Sequence, residues 1–283
     1  MTDVSADIHA RVRELSDEEF FSMLLRSVDV RVVEGTTFPS FPDDQLQANF
    51  VGSSGKDALN EAYNFWRVLK SKTSALGRPL GETSNVLDFG CGWGRYLRFL
   101  NKDTRADHLH GVDVNPEIVA LCKRLGVAGN VKAIEALGSL PFPDDFFDVA
   151  MAYSVFTHLP ENVHIHWMRE MTRVSRKGAV CVMTLEPRRF IEFVRDETPK
   201  GTLVWHQCLA KFAPGASEFL RKFDAGEVVY LPTGGGPYRP ASTYGDAVVP
   251  ESWIAKNWSG WAINEYIDDK ARFWQAVLVL QKL

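Results

Sequence analysis

A glycine-rich turn is the segment of this sequence best suited to holding a ligand. The run Asp88-Phe-Gly90-Cys-Gly92-Trp-Gly94 follows the apolar stretch NVLDF and precedes a helical pattern. Glycine at alternate positions lets the backbone turn tightly, and it lets a ligand approach more closely than any Cβ would allow. We therefore expect a strand, a turn and a helix here, with a ligand bound against the turn.

An acidic residue at the end of the next predicted strand indicates the kind of ligand. Asp113 lies 19 residues after Gly94, where a carboxylate can accept hydrogen bonds from both hydroxyls of a ribose. The turn and this carboxylate together predict a cofactor that contains a nucleoside.

A nicotinamide dinucleotide is the first alternative. The third glycine, Gly94, comes one position too early for the dinucleotide pattern. Asp88, which ends the first strand, would also lie beside a pyrophosphate, where its charge is unfavourable. An acid at this position instead suits a ligand that carries an ammonium and a sulfonium.

Histidines supply the candidate general bases. His158 follows the fourth predicted strand, at the carboxyl edge where α/β sheets bind substrates, although it could instead steady its loop. His206, beside Trp205, is the alternative base. His164 and His166 are two positions apart on one predicted helix and point in different directions, so no metal site is predicted.

Residues 188–257 are richer in glycine and proline than the rest of the chain. They hold 7 of the 21 glycines and 6 of the 14 prolines, and we expect an insertion with little regular structure that acts as a lid. Aromatic faces there could bind a sugar or a planar substrate, with Arg239 and Asp246 bonding hydroxyls or a carboxylate, although the aromatics could also form a small core. The predicted substrate-binding residues are Trp205, Tyr230, Tyr238, Arg239, Tyr244 and Trp253.

The elements that must position these residues alternate between strand and helix from residue 85 onward, which predicts an α/β fold with a mostly parallel sheet. Residues 1–82 are predicted to form a helical cap, with a capping box at Ser16 and Glu19. Apolar residues spaced three and four apart between Ala58 and Leu69 predict an amphipathic helix that ends near Gly77. The predicted strands are 85–89, 109–114, 130–134, 147–156, 179–185, 261–267 and 273–283, and the helices include 95–102, 116–126 and 161–178.

The composition and net charge of the chain make several classes of protein unsuitable as a description of it. With 283 residues, 45% of them hydrophobic, the chain can bury a large core, and its net charge of −4 gives little support for nucleic-acid binding. Four cysteines without CxxC spacing and an N-terminus without an apolar stretch predict a reduced, cytoplasmic protein. No integral membrane segment is predicted, and the oligomeric state stays open.

The motifs together resemble the class I S-adenosylmethionine-dependent methyltransferases, which have a Rossmann-like sheet of seven strands with a reversed C-terminal strand and helices on both faces. DFGCGWG resembles their glycine motif and GVDVNPEIV their second motif. LPFPDDFFDVAMAYSVFTHL and RVSRKGAVCVMTL resemble the segments around their fourth and fifth strands. The resemblance covers residues 83–187 and 258–283, so we expect one methyltransferase domain over 83–283, interrupted by the lid.

The resemblance implies a cofactor site for S-adenosylmethionine, which leaves as S-adenosylhomocysteine. Its methionine side would lie against the glycine turn, Asp113 would hold the ribose and Val114 would pack on the adenine. The adenine amino group would be held by Glu135 or by the backbone of Ala136 and Leu137, where this chain departs from the family pattern. The predicted cofactor-binding residues are Asp88, Gly90, Cys91, Gly92, Gly94, Asp113, Val114, Glu135, Ala136, Leu137, Tyr153 and Ser154, and Tyr153 joins His158 and His206 as a candidate catalytic residue.

The flanking segments QANFVGSSGKDALNEAYNFWRVLK and EVVYLPTGGG resemble bacterial methyltransferases of glycan and polysaccharide synthesis. This resemblance implies O-methylation of a sugar hydroxyl, with His158 as the base. The alternatives are a small-molecule methyltransferase acting on oxygen, nitrogen or carbon, and a non-catalytic cofactor-binding protein.

Overall fold

The computed structural model describes residues 4–283, with side chains from Ile8 onward. Within them a seven-stranded sheet has the strand order β10 (Trp261–Ile267), β11 (Ala276–Lys282), β7 (Ser175–Leu185), β6 (Phe147–Ala152), β3 (Val86–Phe89), β4 (Leu109–Asp113) and β5 (Asn130–Ala133). The chain divides into two compact units, residues 1–134 with 146–151 and residues 135–145 with 152–283. This division cuts across the predicted domain.

The first unit contains the N-terminal helices and the parallel part of the sheet that carries the glycine turn. Strand β3 pairs in parallel with both β4 and β6, and β4 pairs in parallel with β5. The elements are α1 (Val4–Val12), α2 (Asp17–Arg26), β1 (Val32–Val33), β2 (Thr36–Thr37), α3 (Asp44–Val51), α4 (Gly55–Ala75), β3 (Val86–Phe89), α5 (Arg95–Leu100), β4 (Leu109–Asp113), α6 (Pro116–Leu125), β5 (Asn130–Ala133) and β6 (Phe147–Ala152).

Local sequence signals explain the helix starts in this unit. Ser16 accepts a hydrogen bond from the backbone N–H of Glu19, and the Glu19 side chain accepts one from the N–H of Ser16, which confirms the predicted capping box. The amphipathic face of α4 is buried, including Ala58, Leu59 and Trp66. The helix therefore forms where the three- and four-residue spacing predicted it.

The second unit contains the reversed part of the sheet. Strand β11 pairs antiparallel with both β7 and β10, so the predicted reversed C-terminal strand is confirmed. The elements are α7 (Glu161–Val174), β7 (Ser175–Leu185), α8 (Arg189–Asp196), α9 (Val204–Ala210), α10 (Ala216–Asp224), β8 (Val229–Leu231), β9 (Asp246–Val248), α11 (Glu251–Asn257), β10 (Trp261–Ile267) and β11 (Ala276–Lys282).

Residues 188–257 contain regular structure, so the prediction of an insertion with little of it was wrong. Apolar side chains from α8, α9, α10 and β8 bury one another in a local core. Helices α8, α9 and α10 have only seven to nine residues each, and burial against one another rather than local propensity stabilises helices of this length. The buried members of this core are Phe190, Ile191, Val194, Leu209, Ala216, Val229, Leu231 and Val248.

Three predicted boundaries also needed correction. The strand predicted over 147–156 ends at Ala152, and the last strand begins at Ala276 rather than at 273. The helix predicted to run to 178 ends at Val174, and β7 begins at once. The side chain of Arg176 donates to the carbonyl of Asp145, 31 positions away. A contact over that separation cannot be predicted from a local sequence pattern.

Within residues 4–283, no helix combines the length and apolar character that crossing a membrane requires.

Candidate functional site

The glycine turn has a backbone that side chains would oppose. Gly90, Gly92 and Gly94 have φ angles of 75°, 51° and 78°, in the region that favours glycine. A Cβ on Gly94 would lie 2.6 Å from Cγ1 of Val127, so no larger residue fits without displacement. The N–H of Gly90 donates to the carbonyl of Val112 over 2.8 Å, which ties the turn to β4. The backbone conformation of the turn therefore favours glycine at all three positions.

Asp88 brings an unpaired carboxylate oxygen to the end of β3. The side chain is 1% exposed, and its Oδ2 has no hydrogen-bond partner within the described part of the chain. Burial, reinforced by the Asp113 carboxylate and opposed by Arg95, raises the pKa of Asp88 to about 7. A buried acceptor with no donor is costly unless a ligand supplies one.

Asp113 is held by backbone donors on both sides. The N–H of Gly92 donates to Oδ2 over 3.0 Å, and the N–H of Asn115 donates to Oδ1 over 2.9 Å. Because a carboxylate has about four lone-pair positions, each oxygen can accept a further bond from a ribose hydroxyl. Phe50 of α3 packs against the turn, 3.3 Å from where a Cβ of Gly92 would lie.

The other predicted cofactor residues lie at strand ends and in one turn. Cys91 is buried and Val114 is half-buried. Glu135 and Leu137 are exposed, in a turn closed by the N–H of Gly138 donating to the carbonyl of Glu135 over 3.1 Å, with Ala136 between them. The assignments of these residues to the cofactor remain predictions.

Tyr153 and Ser154 follow the end of β6. Ser154 has a φ of 57°, unusual for a residue with a side chain, and its N–H donates to Oγ1 of Thr184 over 2.7 Å. Such backbone strain persists only where the surrounding structure enforces it. The chain therefore leaves the strand here in a fixed, sharp turn.

His158 is fixed in one tautomer. Its Nδ1 lies 2.7 Å from the carbonyl of Gly245, and because a carbonyl only accepts, Nδ1 carries the proton of the neutral ring. The lone pair is then on Nε2, which has no hydrogen-bond partner among residues 4–283, and 18% of the side chain is exposed. Burial lowers the pKa of His158, although Asp246 and Gly245 oppose this effect.

The insertion supplies the surroundings of His158. The ring of Tyr244 stacks on the imidazole of His158, with 4.5 Å between the ring centroids and 20° between the ring planes. The guanidinium of Arg239 lies over the Tyr244 ring, with Cζ 4.9 Å from its centroid. Backbone bonds from Gly245 N to His158 O (2.8 Å) and from Ala247 N to Thr157 O (2.7 Å) hold the two segments together. Of the predicted substrate residues, Tyr244 and Arg239 are thus beside the predicted base.

The remaining predicted residues of the insertion lie in three other settings. Trp205 is 38% exposed and stacks on Phe193, which His206 also contacts, so the alternative base belongs to the helical cluster of α8 and α9. Trp253 is 7% exposed and packs edge-on against Trp258, as a core residue does. Tyr238 is exposed, and the Tyr230 hydroxyl donates to the carbonyl of Ala241 over 2.8 Å.

Sequence reasoning missed two polar residues at the edge of the sheet. Glu186 directly follows β7 and Gln275 directly precedes β11, and the two strands are antiparallel with Leu185 opposite Ala276. The Nε2 of Gln275 donates to Oε1 of Glu186 over 3.1 Å and to Oγ of Ser154 over 2.9 Å. The available signal was a charged residue at the end of an apolar run, in the sequence AVCVMTLE.

Comparison with known proteins identifies the central segment. A family model described as a methyltransferase domain matches residues 86–178. This segment is thus similar to methyltransferase domains. It begins at β3, contains the glycine turn and Asp113, and ends in β7, so the match covers both the predicted cofactor turn and His158.

The names of the curated relatives of this chain give different activities. A sarcosine/dimethylglycine N-methyltransferase from Halorhodospira halochloris is 28% identical over 142 residues, 47% of this chain and 46% of that protein. An O-antigen chain terminator bifunctional methyltransferase/kinase from Escherichia coli is 27% identical over 129 residues, 44% of this chain and 18% of that protein. The chain thus spans less than half the length of each of these two relatives.

A solved structure shares the fold. The S-adenosylmethionine-dependent methyltransferase from Mesorhizobium loti superposes with a TM-score of 0.50 at 14% identity, covering 77% of this chain and 98% of that one. The predicted Rossmann-like fold is therefore confirmed.

The residues of the turn fit S-adenosylmethionine, the cofactor that the sequence resemblance implies. The unpaired Oδ2 of Asp88 suits the ammonium of its methionine part, and Asp113 is an acceptor at the end of β4, where a ribose is expected. The open turn leaves room for close approach because Gly90, Gly92 and Gly94 have no side chains.

Proposed function

We propose that this chain transfers the methyl group of S-adenosylmethionine to a hydroxyl of a sugar or glycan, with His158 as general base. The observation that carries the proposal is the fixed tautomer of His158: Nδ1 is committed to Gly245, and Nε2 keeps a free lone pair. When bound, the cofactor supplies an electrophilic methyl group on a sulfonium. An alcohol must lose its proton as it attacks that methyl, which a positioned imidazole can accept.

The residues around His158 support this role in distinct ways. Burial keeps the imidazole neutral near pH 7, since it lowers the pKa. Stacking on Tyr244 fixes the ring plane, and the bond to Gly245 fixes the direction of Nε2. As the new O–C bond forms and the C–S bond breaks, the hydroxyl proton moves to Nε2.

A test of the proposal offers the purified protein neutral methyl glycosides, simple phenols and secondary amines together with S-adenosylmethionine. We expect a methyl-sized mass gain on a glycoside. His158→Gln should lower kcat by about 100-fold or more while leaving the affinity for S-adenosylhomocysteine unchanged. His206→Gln is the matched control, because His206 packs on Phe193 in the helical cluster, and it should retain activity. Turnover lost equally in both variants would contradict the assignment of the base.

A second candidate is N-methylation of a small amine, which the N-methyltransferase relative from Halorhodospira halochloris favours. A neutral amine needs little help with its proton, so His158→Gln would then have a small effect. Methylation of an amine but of no glycoside would replace the sugar proposal with this one. Tight binding of S-adenosylhomocysteine without turnover on any acceptor would point to a non-catalytic protein.

A further inference from the structure

Beside His158, a group of buried acceptor atoms has more lone pairs than donors. Glu186, Asp246 and Gln275 are 2%, 1% and 8% exposed. One oxygen of each, Oε2 of Glu186, Oδ1 of Asp246 and Oε1 of Gln275, has no hydrogen-bond partner in the part of the chain that the structure describes. We call these three side chains the acceptor-oxygen cluster.

The three side chains belong to one connected arrangement. Gln275 donates to Glu186 over 3.1 Å, and Oδ1 of Asp246 lies 3.7 Å from Nδ1 of His158. Glu186 forms a backbone bridge with Val248, two residues from Asp246, and the charge of Asp246 acts on Glu186. The cluster therefore lies next to the predicted base.

In the described part of the chain, each of these three side chains has a hydrogen-bond partner at only one of its two polar atoms. The hydroxyl of Thr233 donates to Oδ2 of Asp246 over 2.7 Å, and the amide of Gln275 is shared between Glu186 and Ser154. Arg189, the cation whose charge acts on Glu186, is engaged with Asp268 and with the carbonyl of Phe273. A buried acceptor without a donor destabilises the folded protein, so three of them in one place indicate a ligand that donates.

We propose that the acceptor-oxygen cluster binds hydroxyl groups of the substrate that flank the methylated one. Three acceptors on three separate side chains fit a molecule with several donors on different atoms, as a polyhydroxylated ring has. A single ammonium would place its donors on one nitrogen. This inference rests on the proposed function, and it assigns Glu186, Asp246 and Gln275 as specificity-determining residues.

The protonation of Glu186 fits a neutral ligand. Burial, reinforced by Asp246 and opposed by Gln275 and Arg189, raises the pKa of Glu186 to about 8, and Tyr266 is a further titratable group within its field. Near pH 7 most of Glu186 is therefore protonated and can both donate to and accept from a hydroxyl. A cationic ligand would instead have to expel that proton, and its affinity would rise with pH.

The test measures binding rather than turnover. A methyl glycoside that the wild-type protein methylates is titrated by calorimetry into the protein saturated with S-adenosylhomocysteine, beside analogues that lack one flanking hydroxyl. Glu186→Leu and Gln275→Leu should each weaken binding of the parent glycoside about 10-fold or more, and binding of one deoxy analogue less than about 3-fold. Two variants are used because either one alone could fail to fold, and cofactor affinity and thermal melting check folding.

The matched control is Glu227→Leu, at an exposed glutamate of the same insertion, which should bind like the wild type. Equal losses for the parent glycoside and all deoxy analogues, or no loss in either variant, would overturn the cluster while leaving the sugar proposal in place. If amines alone bind, with affinity that rises with pH and falls in Glu186→Leu, the hydroxyl assignment is wrong. If no glycoside is bound or methylated, both proposals fail.

Discussion

At the scale of single residues, the electrostatics of His158 decide how the predicted base behaves with pH. Asp246 raises its pKa and Arg239 lowers it, while burial sets the overall downward shift. Because only the neutral ring can accept a proton, the chemical step should slow on the acid side, below the ordinary imidazole pKa of about 6.5. Measurement of kcat against pH, at saturating substrate and cofactor so that titration of Asp88 and Glu186 does not act through binding, should show this acid limb.

Two substitutions should move that limb in opposite directions. Asp246→Asn removes the carboxylate that favours the charged ring, so the limb shifts to lower pH. Arg239→Gln removes the cation that disfavours it, so the limb shifts to higher pH. Shifts of the same sign in both variants would show that another group controls the profile, and an unshifted limb in His158→Gln would do the same.

At the scale of elements, the turn between β3 and α5 carries the strictest demand on sequence. Gly94→Ala combines a φ of 78° with a Cβ 2.6 Å from Val127, whereas Gly126 has a φ of 76° and nothing within 4 Å. Gly126→Ala should therefore cost about 1–2 kcal/mol of unfolding free energy, and Gly94→Ala clearly more.

Urea denaturation of both variants checks this difference, with the double variant Gly94→Ala, Val127→Ala as a further test. The double variant should recover the part of the loss due to the clash, which a double-mutant cycle isolates. Equal losses at positions 94 and 126 would mean that conformation alone, and not the approach of Val127, restricts the turn.

Elements were predictable where local signals were strong. The capping box at Ser16 and the spacing of apolar residues in α4 placed two helices, and the glycine turn placed β3 and α5. The helices of residues 188–257 were missed because each is short, and their stability comes from burial of residues such as Phe190 and Leu209 against each other. That burial depends on contacts between elements, which a linear pattern does not contain.

At the scale of the whole molecule, two buried carboxyls should make stability depend on pH. The folded-state pKa is about 7 for Asp88 and about 8 for Glu186, in each case above the ordinary value. The folded protein then holds protons that the unfolded chain has lost, so stability falls as pH rises from about 4 to about 8. Each of the two carboxyls contributes on the order of 4 kcal/mol to this loss.

Urea denaturation near pH 5 and near pH 9 tests this dependence. Asp88→Asn and Glu186→Gln should each be more stable relative to the wild type at the higher pH, because neither amide has to ionise. Glu227→Gln, at an exposed position, should show no such change. A stability difference that is the same at both pH values in all three variants would contradict the raised pKa of these carboxyls.

The class of fold and the conformation of the glycine turn were predictable from the sequence, because those features depend on local rules. Glycines at alternate positions, an acid at the end of each of two strands and alternating strand and helix patterns lie close together along the chain. Only the tertiary structure brought Gly245 and Asp246 to His158, and Gln275 to Glu186, across separations of 87 to 89 residues. Hydrogen bonds at that distance follow from strand order and from packing of the insertion, so no spacing in the sequence could reveal the acceptor-oxygen cluster.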